Sequence, residues 1–562
     1  MKLNLQYLQL HRRYAEGDSA EVTLAEIAEE LDCTHRSAVT LIGKLTGLGW
    51  IEWTARRGRG RRSTLRFLAE PRAIARASVR QAMNTGQLRR SLEQLTHHAA
   101  PEAEAPLEEW LASYFGHHAE IRQNRQIDIL RLPIREQLHS IDPLAMNLLA
   151  ESFVSSHVFD GLVRRSFPDG AILPNLAHAW ESDDSRTRWT FHLRKGVAFH
   201  DGRLLTADDV VYSLERLIHS KRTLYGSLFR QIQSVRAWTS ATVVVELNHP
   251  NELMLPLLCT SRAAIVPAGT YEASQSGSDL PVGTGPFKLL QLGPQLCVLE
   301  AYPHYHLGRA QLDRVEIVHV PWRNEHEPAD PHAPFHIMHH AGEPDTGWSR
   351  ISSETVVRKF ITCNTRREGP LANPGIRADI MGALAGQTEP YESQAQQHGQ
   401  VVSPLRITTI EHYRQDAEQV ADRLRAAGYR CEVTTSSPDS FKDERRLRAD
   451  LILFSLLRDQ DVQLRLYDLY ATMQSHLDEP TAARVDHTLT AVSTEADAQR
   501  RMAWLRVLEA ELIDGHQLHI LYEKPVQAAY LPSVRGVSFN AQGWMDLRKL
   551  WFPPVQEELP DV

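Results

Sequence analysis

The sequence predicts an α/β chain in two parts: a small winged helix-turn-helix domain at the N-terminus and a much larger α/β body behind it. Three stretches carry that expectation. Near the start, short helical patterns are followed by a strand, an arginine-rich tip and a second strand. In the middle, residues 173–217 read as a strand, a tight turn and a capped helix in close succession. Later, residues 405–434 alternate strand, amphipathic helix and strand, as a layered α/β unit does.

Leu3, Tyr7, Leu10 and Tyr14 recur at helical spacing and predict a first helix over 3–16. Thr23 stands where a second helix needs a cap, with Glu26 three residues on as in a capping box. Leu24, Ile27, Ala28 and Leu31 form its apolar stripe. A third helix opens at Thr34, runs through Val39, Leu41, Ile42 and Leu45 to Leu48, and is stopped by Gly49. Two short helices on a tight turn have the dimensions of a helix-turn-helix. Residues 50–54 and 64–68 then read as strands around a tip in which five arginines lie within 56–62. Gly58 and Gly60 let that tip turn tightly.

The chemistry expected of this head is binding to double-stranded DNA. Thr34, His35, Arg36, Ser37, Thr40 and Lys44 are polar positions of the third helix that suit a major groove. Arg56, Arg57, Arg59, Arg61 and Arg62 suit phosphate oxygens or a narrow minor groove. The alternative is a solvated hairpin on a structural or protein-docking module. Charge supports the first reading: residues 1–70 hold 11 Lys and Arg against 9 Asp and Glu, whereas the remainder holds 51 against 61. Residues 71–126 read as a helical connector hinged near Pro101 and Pro106, and the body as residues 127–562.

Within the body, residues 127–132 predict a strand. Trp189, Phe191 and Leu193 alternate with polar residues as in a half-buried strand. Asp201-Gly202 is a turn dipeptide, and Thr206 is placed to cap a helix with Asp208 and Asp209 in its first turn. Val210, Val211, Leu214 and Leu217 give that helix its apolar face. Two glycines around Thr284 predict a backbone crossing between lobes, and Pro286 a fixed bend. Residues 450–455 predict a further strand.

The wording of these stretches resembles a known family. Pro174-x-Leu-Ala-x-x-Trp180 is followed by Phe191-x-Leu-Arg-x-Gly-Val-x-Phe-His-Asp-Gly202 and Leu205-Thr-Ala-x-Asp-Val-x-Tyr-Ser-Leu214. Together they resemble the oligopeptide- and nickel-type solute-binding proteins of ABC importers, and Pro281-Val-Gly-Thr-Gly-Pro286 resembles their second marker. The resemblance implies a two-lobed periplasmic-binding-protein-like body (type II, oligopeptide-binding class) holding a solute in its cleft. In peptide-binding relatives an aspartate placed as Asp459 is meets the ligand's amino group. Asn364 and Trp322 are the other candidate ligand contacts. Around Asp459 the flanking residues depart from the family's aromatic- and glycine-rich phrase. The helix expected after Asn364 is only loosely kept, at Ile376-Arg-Ala-Asp-Ile380.

The wing and the tail, from Gly543-Trp544 to Trp551-Phe552, extend the resemblance over the whole chain, to the SgrR family of transcriptional regulators. That family implies a ligand-responsive DNA-binding regulator, whose effector would be a sugar phosphate, a peptide or a related solute. The alternative is a solute-binding protein for a peptide or similar small molecule without a direct DNA role. No secretory leader pattern, no membrane-length apolar run and five cysteines without a CxxC pair predict a reduced, cytoplasmic location without a membrane partner. No P-loop, GxSxG or dinucleotide fingerprint occurs, so neither catalysis nor a cofactor is expected. Histidines at 319, 326, 332, 336, 339 and 340 lack metal-ligand spacing, and no metal site is expected.

Overall fold

A computed structural model describes residues 2–15, 19–56, 62–71, 73–74, 77, 115–122, 125–134, 137–146, 148–166, 169–220, 225–273, 280–319, 337–338, 349–386, 403–441, 444–455, 461–530, 534–540 and 544–553. The head comprises α1 (Lys2–Tyr14), β1 (Ala20–Val22), α2 (Leu24–Glu30), α3 (His35–Gly47), β2 (Ile51–Thr54) and β3 (Ser63–Phe67). Its strands form a sheet in the order β1-β3-β2, with β2 and β3 antiparallel as a wing requires. Tyr7, Leu10, Ile27, Ala28, Ala38, Leu41, Ile42, Leu45, Ile51 and Leu65 are its buried core. The apolar stripes of the three predicted helices therefore meet.

The connector departs from expectation at its far end. Residues 116–122, 125 and 126 are not helical: β4 (Gly116–Arg122) pairs antiparallel with β5 (Arg125–Ile134). The five-stranded sheet of the body thus takes in β4 from the predicted connector, directly after Phe115. The alternation of Ala119 and Ile121 with polar neighbours is a strand pattern on a sheet edge, too short to be told from helix by periodicity. Residues 78–114, with Pro101 and Pro106, lie outside the described residues.

Behind the head, among the described residues, stand three large sheets and one of two strands. The first has the order β12-β13-β14-β5-β4, formed with β12 (Phe287–Leu292), β13 (Leu296–Ala301) and β14 (Arg314–His319), and β14 runs parallel to β5. Helix α4 (Leu149–Val158) and the C-terminal residues Phe539, Trp544, Met545, Leu547 and Leu550 complete its core. Next come β6 (Val163–Arg165), β7 (Ile172–Pro174), β8 (Ala177–Ser182) and β9 (Arg188–Leu193), then α5 (Ala207–His219), β10 (Ile232–Thr239) and β11 (Thr242–Leu247). The second sheet is antiparallel, in the order β10-β11-β9-β8. Trp189, Phe191 and Leu193 point into its core, as their alternation predicts. At the start of α5 the capping differs in detail from the prediction. The Asp209 carboxylate accepts from both the Thr206 N–H at 2.8 Å and the Thr206 hydroxyl at 3.0 Å.

The third sheet has the order β15-β20-β16-β19-β17-β18. It is built by β15 (Ile337–Met338), β16 (Ser349–Cys363), β17 (Leu405–Ile410), β18 (Cys431–Ser436), β19 (Leu451–Ser455) and β20 (Leu518–Tyr530). Helices α6 (Pro374–Leu384) and α7 (Arg414–Ala426) cover it with one core. Beyond them lie α8 (Val462–Met473), α9 (Glu479–Thr494) and α10 (Ala498–Asp514). These last three helices share a single apolar core with the four-stranded sheet, running from Phe191 and Leu257 through Leu466 and Tyr470 to Leu508.

Candidate functional site

The helix-turn-helix is fixed by local chemistry. The Thr23 N–H donates to Glu26 Oε2 at 2.8 Å and the Glu26 N–H to Thr23 Oγ1 at 3.2 Å, so the predicted capping box is present. The turn passes through Asp32 at φ 44°, a left-handed position that aspartate tolerates better than most residues. Thr34 caps α3 by accepting the Ser37 N–H at 3.2 Å, and the Thr34 and Ser37 hydroxyls lie 2.9 Å apart. Gly49, at φ 70°, lets the chain leave α3 for the wing.

Ala38, Leu41, Ile42 and Leu45 turn α3 inward, leaving Thr34, His35, Arg36, Ser37, Thr40 and Lys44 exposed on its outer side. The structure thus gathers all six predicted positions, but they are not equivalent. The Thr34 and Ser37 oxygens are occupied in the cap, and the Thr40 hydroxyl donates back to the Arg36 carbonyl at 3.0 Å. The charged and ring donors of this face are His35, Arg36 and Lys44, beside one hydroxyl hydrogen of the Thr34–Ser37 pair that their mutual contact leaves unspent. Val39, 47 % exposed on the same helix, can offer an apolar contact to a thymine methyl. The helix carries no acidic residue, and its N-terminal dipole adds positive potential beside Arg36.

Of the wing arginines, Arg57, Arg59 and Arg61 lie outside the described residues. Arg56 and Arg62 flank the tip and are already engaged. Arg56 pairs with Glu21 at 3.3 Å, while Arg62 donates to Glu26 Oε1 at 2.8 Å, the same carboxylate that closes the capping box. The Glu26 carboxyl is held below its usual range, first by the Thr23 N–H and then by Arg62. Sequence reasoning missed these acidic partners, because Glu21 and Glu26 reach the wing base only through the fold.

The head does not hang free of the body. Its buried core continues into Ile74, Phe115 and Val318, with Leu296 packed against it, so β13 and β14 of the five-stranded sheet carry the head's apolar floor. The sequence offered no signal for this contact, since Phe115 and Val318 are 203 positions apart.

In the body, the Gly283–Gly285 crossing is present. A Cβ on Gly283 would lie 2.0 Å from the Val158 carbonyl, and one on Gly285 2.7 Å from that of His157. The Gly285 N–H donates to Val158 at 2.9 Å, locking the crossing against the end of α4. Across the units, Arg165 pairs with Asp461 at the N-cap of α8, and the Tyr225 N–H donates to Asp468 at 2.8 Å. The Glu252 N–H donates to the Ser493 carbonyl at 2.7 Å. The four-stranded unit and helices α8–α10 are closed directly on one another.

Of the predicted ligand contacts, Asp459 and Trp322 lie outside the described residues. Asn364 is buried, and its amide donates to the carbonyls of Leu447 at 2.7 Å and Ala449 at 2.9 Å. It braces the entry to β19, and both amide hydrogens are spent there. Among the predicted histidines His319 is buried on β14, the rest are outside the described residues, and no metal-ligand group of His, Cys, Asp or Glu occurs among those described. A surface recess of about 390 Å³ lined by Asp128, Gln311, Leu312, Trp551 and Phe552 offers little chemistry. Its carboxylate, Asp128, already accepts from Gln126 and is 2.9 Å from His117 Nε2. No helix among the described residues is long and apolar enough to cross a membrane.

Comparison with known proteins agrees with this two-part arrangement. Residues 2–119 match the family described as "Sugar transport-related sRNA regulator N-term". Residues 171–327 match "Bacterial extracellular solute-binding proteins, family 5 Middle". The HTH-type transcriptional regulator SgrR of Yersinia pseudotuberculosis is 26% identical over 99% of this chain and 99% of its own length. An uncharacterised protein of Bacillus subtilis, YhjP, is 27% identical over 95% of this chain and 96% of its own. Among solved structures, the periplasmic binding protein DppA of Helicobacter pylori, in complex with the peptide STSA, superposes with a TM-score of 0.63. At 19% identity it covers 75% of this chain and 98% of its own, so it speaks for the fold of the body. The chain thus pairs an N-terminal region that matches the SgrR-type model with a type II periplasmic-binding-protein body, and it is similar to the SgrR regulators in order and over their whole length.

Proposed function

We propose that this protein is a DNA-binding transcriptional regulator whose hold on DNA responds to a small solute bound by its body. The observation that carries the proposal is the continuity of the head's core with Phe115 and Val318 of the body, beneath an exposed α3 face bearing His35, Arg36 and Lys44. A head packed on the sheet of a solute binder feels any rearrangement of that sheet. Its relatives support the reading, since SgrR of Yersinia pseudotuberculosis is named a transcriptional regulator. The protein works by binding rather than by catalysis, in the compartment where DNA is, the cytoplasm. Its effector is a small polar solute of the peptide or sugar-phosphate kind. Solute binding shifts the balance between two arrangements of the body, and the effect on DNA equals the difference in DNA affinity between them.

The test is electrophoretic mobility shift against genomic fragments, followed by titration of candidate solutes. Specific binding that weakens with salt, and changes about fivefold or more when a solute occupies the body, is the expected outcome. The absence of specific DNA binding would overturn the regulator reading. A solute that binds the body without changing DNA affinity would overturn the coupling.

A further inference from the structure

Helix α10 buries one side and leaves an unusual surface on the other. Leu505, Leu508 and Leu512 face the core that α8–α10 share with the four-stranded sheet. A helix that packs on one side only is expected to be charged or polar on the other. Helices α7 and α9 obey that rule, with Gln415, Gln419 and Asp422 exposed on the first and Arg484, Asp486 and His487 on the second. Helix α10 does not. Ala503, Trp504, Val507, Ala510 and Ile513 are exposed on it, Val507 by 55% and Trp504 and Ile513 by 37% each. Among the described residues no other helix of the body exposes a large apolar side chain.

The exposed positions have the spacing of a helix–helix seam. Arg500, Val507 and Asp514 recur every seven residues, so they stand nearly in line along the outer face, with Ala503 and Ala510 between them. Two alanines beside the central valine let a second helix approach closely. Charge along the seam is polarised. Exposed Arg500 and Arg506 lie in the N-terminal half, and exposed Glu511 and Asp514 in the last turn. The first turn of α10 holds no acidic residue and its last turn no basic one, the reverse of what the helix dipole favours. The acids nearest Arg500, Glu495 and Asp497, stand 3.8 and 3.9 Å away, beyond hydrogen-bond length.

A second α10 laid antiparallel on the first answers both features. With the two-fold axis at Val507, each Val507 meets its copy, each Trp504 lies on the Ala510 opposite, and each Arg500 faces the Asp514 opposite. The basic N-terminal half of one helix then covers the acidic end of the other, and the two dipoles oppose. A parallel pair would set Arg500 against Arg500 and Asp514 against Asp514, which like charges forbid. The face is therefore complementary to itself, in one orientation.

We propose that the outer face of α10 is a self-association surface, through which two copies of this chain pair antiparallel about a two-fold axis at Val507. Pairing brings two heads into one particle, and a particle with two heads suits DNA with two half-sites. The interface goes beyond the regulator reading and stands or falls apart from it.

Sedimentation velocity of the full-length protein over about 1–100 µM tests it. The mass should approach twice the 63.7 kDa of one chain as concentration rises. Val507→Asp sets two carboxylates against each other on the axis and should raise the dissociation constant about tenfold or more. Arg500→Glu and Asp514→Arg should each weaken association about threefold or more, and the two together should restore it. Trp238→Ser, which removes an exposed tryptophan of β10, should change nothing. All these positions are exposed, and circular dichroism checks that each variant folds. A monomer at every concentration overturns the proposal, as does a dimer that Val507→Asp leaves intact. A double charge variant no tighter than the single ones overturns the antiparallel pairing. Mobility shift keeps the two readings apart: a chain that stays monomeric yet binds DNA removes this interface and spares the regulator.

Discussion

Arg62 and Arg36 are both exposed arginines of the head, yet the structure gives them different work. Arg62 is held by Glu26 and ties the wing base to the cap of α2. Arg36 stands on the outer face of α3 with a side chain that no described acidic residue engages. Arg36→Ala should therefore cost about 1–3 kcal/mol of specific DNA binding, and Lys44→Ala should lower the slope of log affinity against log salt by about 1. Arg62→Gln should change DNA binding little and head stability by less than about 1 kcal/mol, as exposed pairs do. Fluorescence anisotropy over a salt series, with thermal melts of the variants, separates the three. Equal losses in Arg36→Ala and Arg62→Gln would refute this division of roles. Residue types gave the list of polar positions, and only the fold shows that the Thr40 hydroxyl donates to the Arg36 carbonyl and that Thr34 and Ser37 bond one another in the cap.

At the scale of elements, α4 and the 283–285 crossing form the tightest joint in the body. The Gly283 Cα hydrogen occupies space that no methyl can enter without moving the Val158 carbonyl. Gly283→Ala should destabilise the body by roughly 1–3 kcal/mol or more through overpacking, while Gly293→Ala, whose nearest neighbour would be 3.7 Å away, should be far milder. Chemical denaturation of the two variants compares them directly, and equal midpoints would refute the joint. Both glycines of the crossing were legible in the sequence, as were the strands at 189–193, 405–410 and 451–455. The strand β4 was not. It is a largely polar edge strand paired antiparallel with β5, and local periodicity does not distinguish so short a run from helix.

At the scale of the whole molecule, the head and body share apolar surface rather than a tether alone. Phe115, 2% exposed, and Val318, 4% exposed, are the body's share of that surface. Phe115→Ala with Val318→Ala should weaken head docking by about 3–5 kcal/mol, the usual cost of removing a buried phenylalanine. DNA binding itself should survive, while its response to solute is lost and limited proteolysis between head and body quickens. A response that remains intact would show that coupling runs by another route.

Local order alone was enough for the sequence to determine the helix-turn-helix, its capping box and the strands of the wing, because caps, turns and periodic faces are set by neighbours in the chain, whereas the type of the body was legible through its resemblance to the solute-binding family. Tertiary structure decided what those parts touch. It spent Asn364 on the carbonyls of Leu447 and Ala449, tied Arg62 to Glu26, and set the head on Val318. It also brought Asp160 within 4.0 Å of His306, residues 146 positions apart. Burial and pairing between distant segments depend on how whole sheets stack, and no spacing along the chain encodes that.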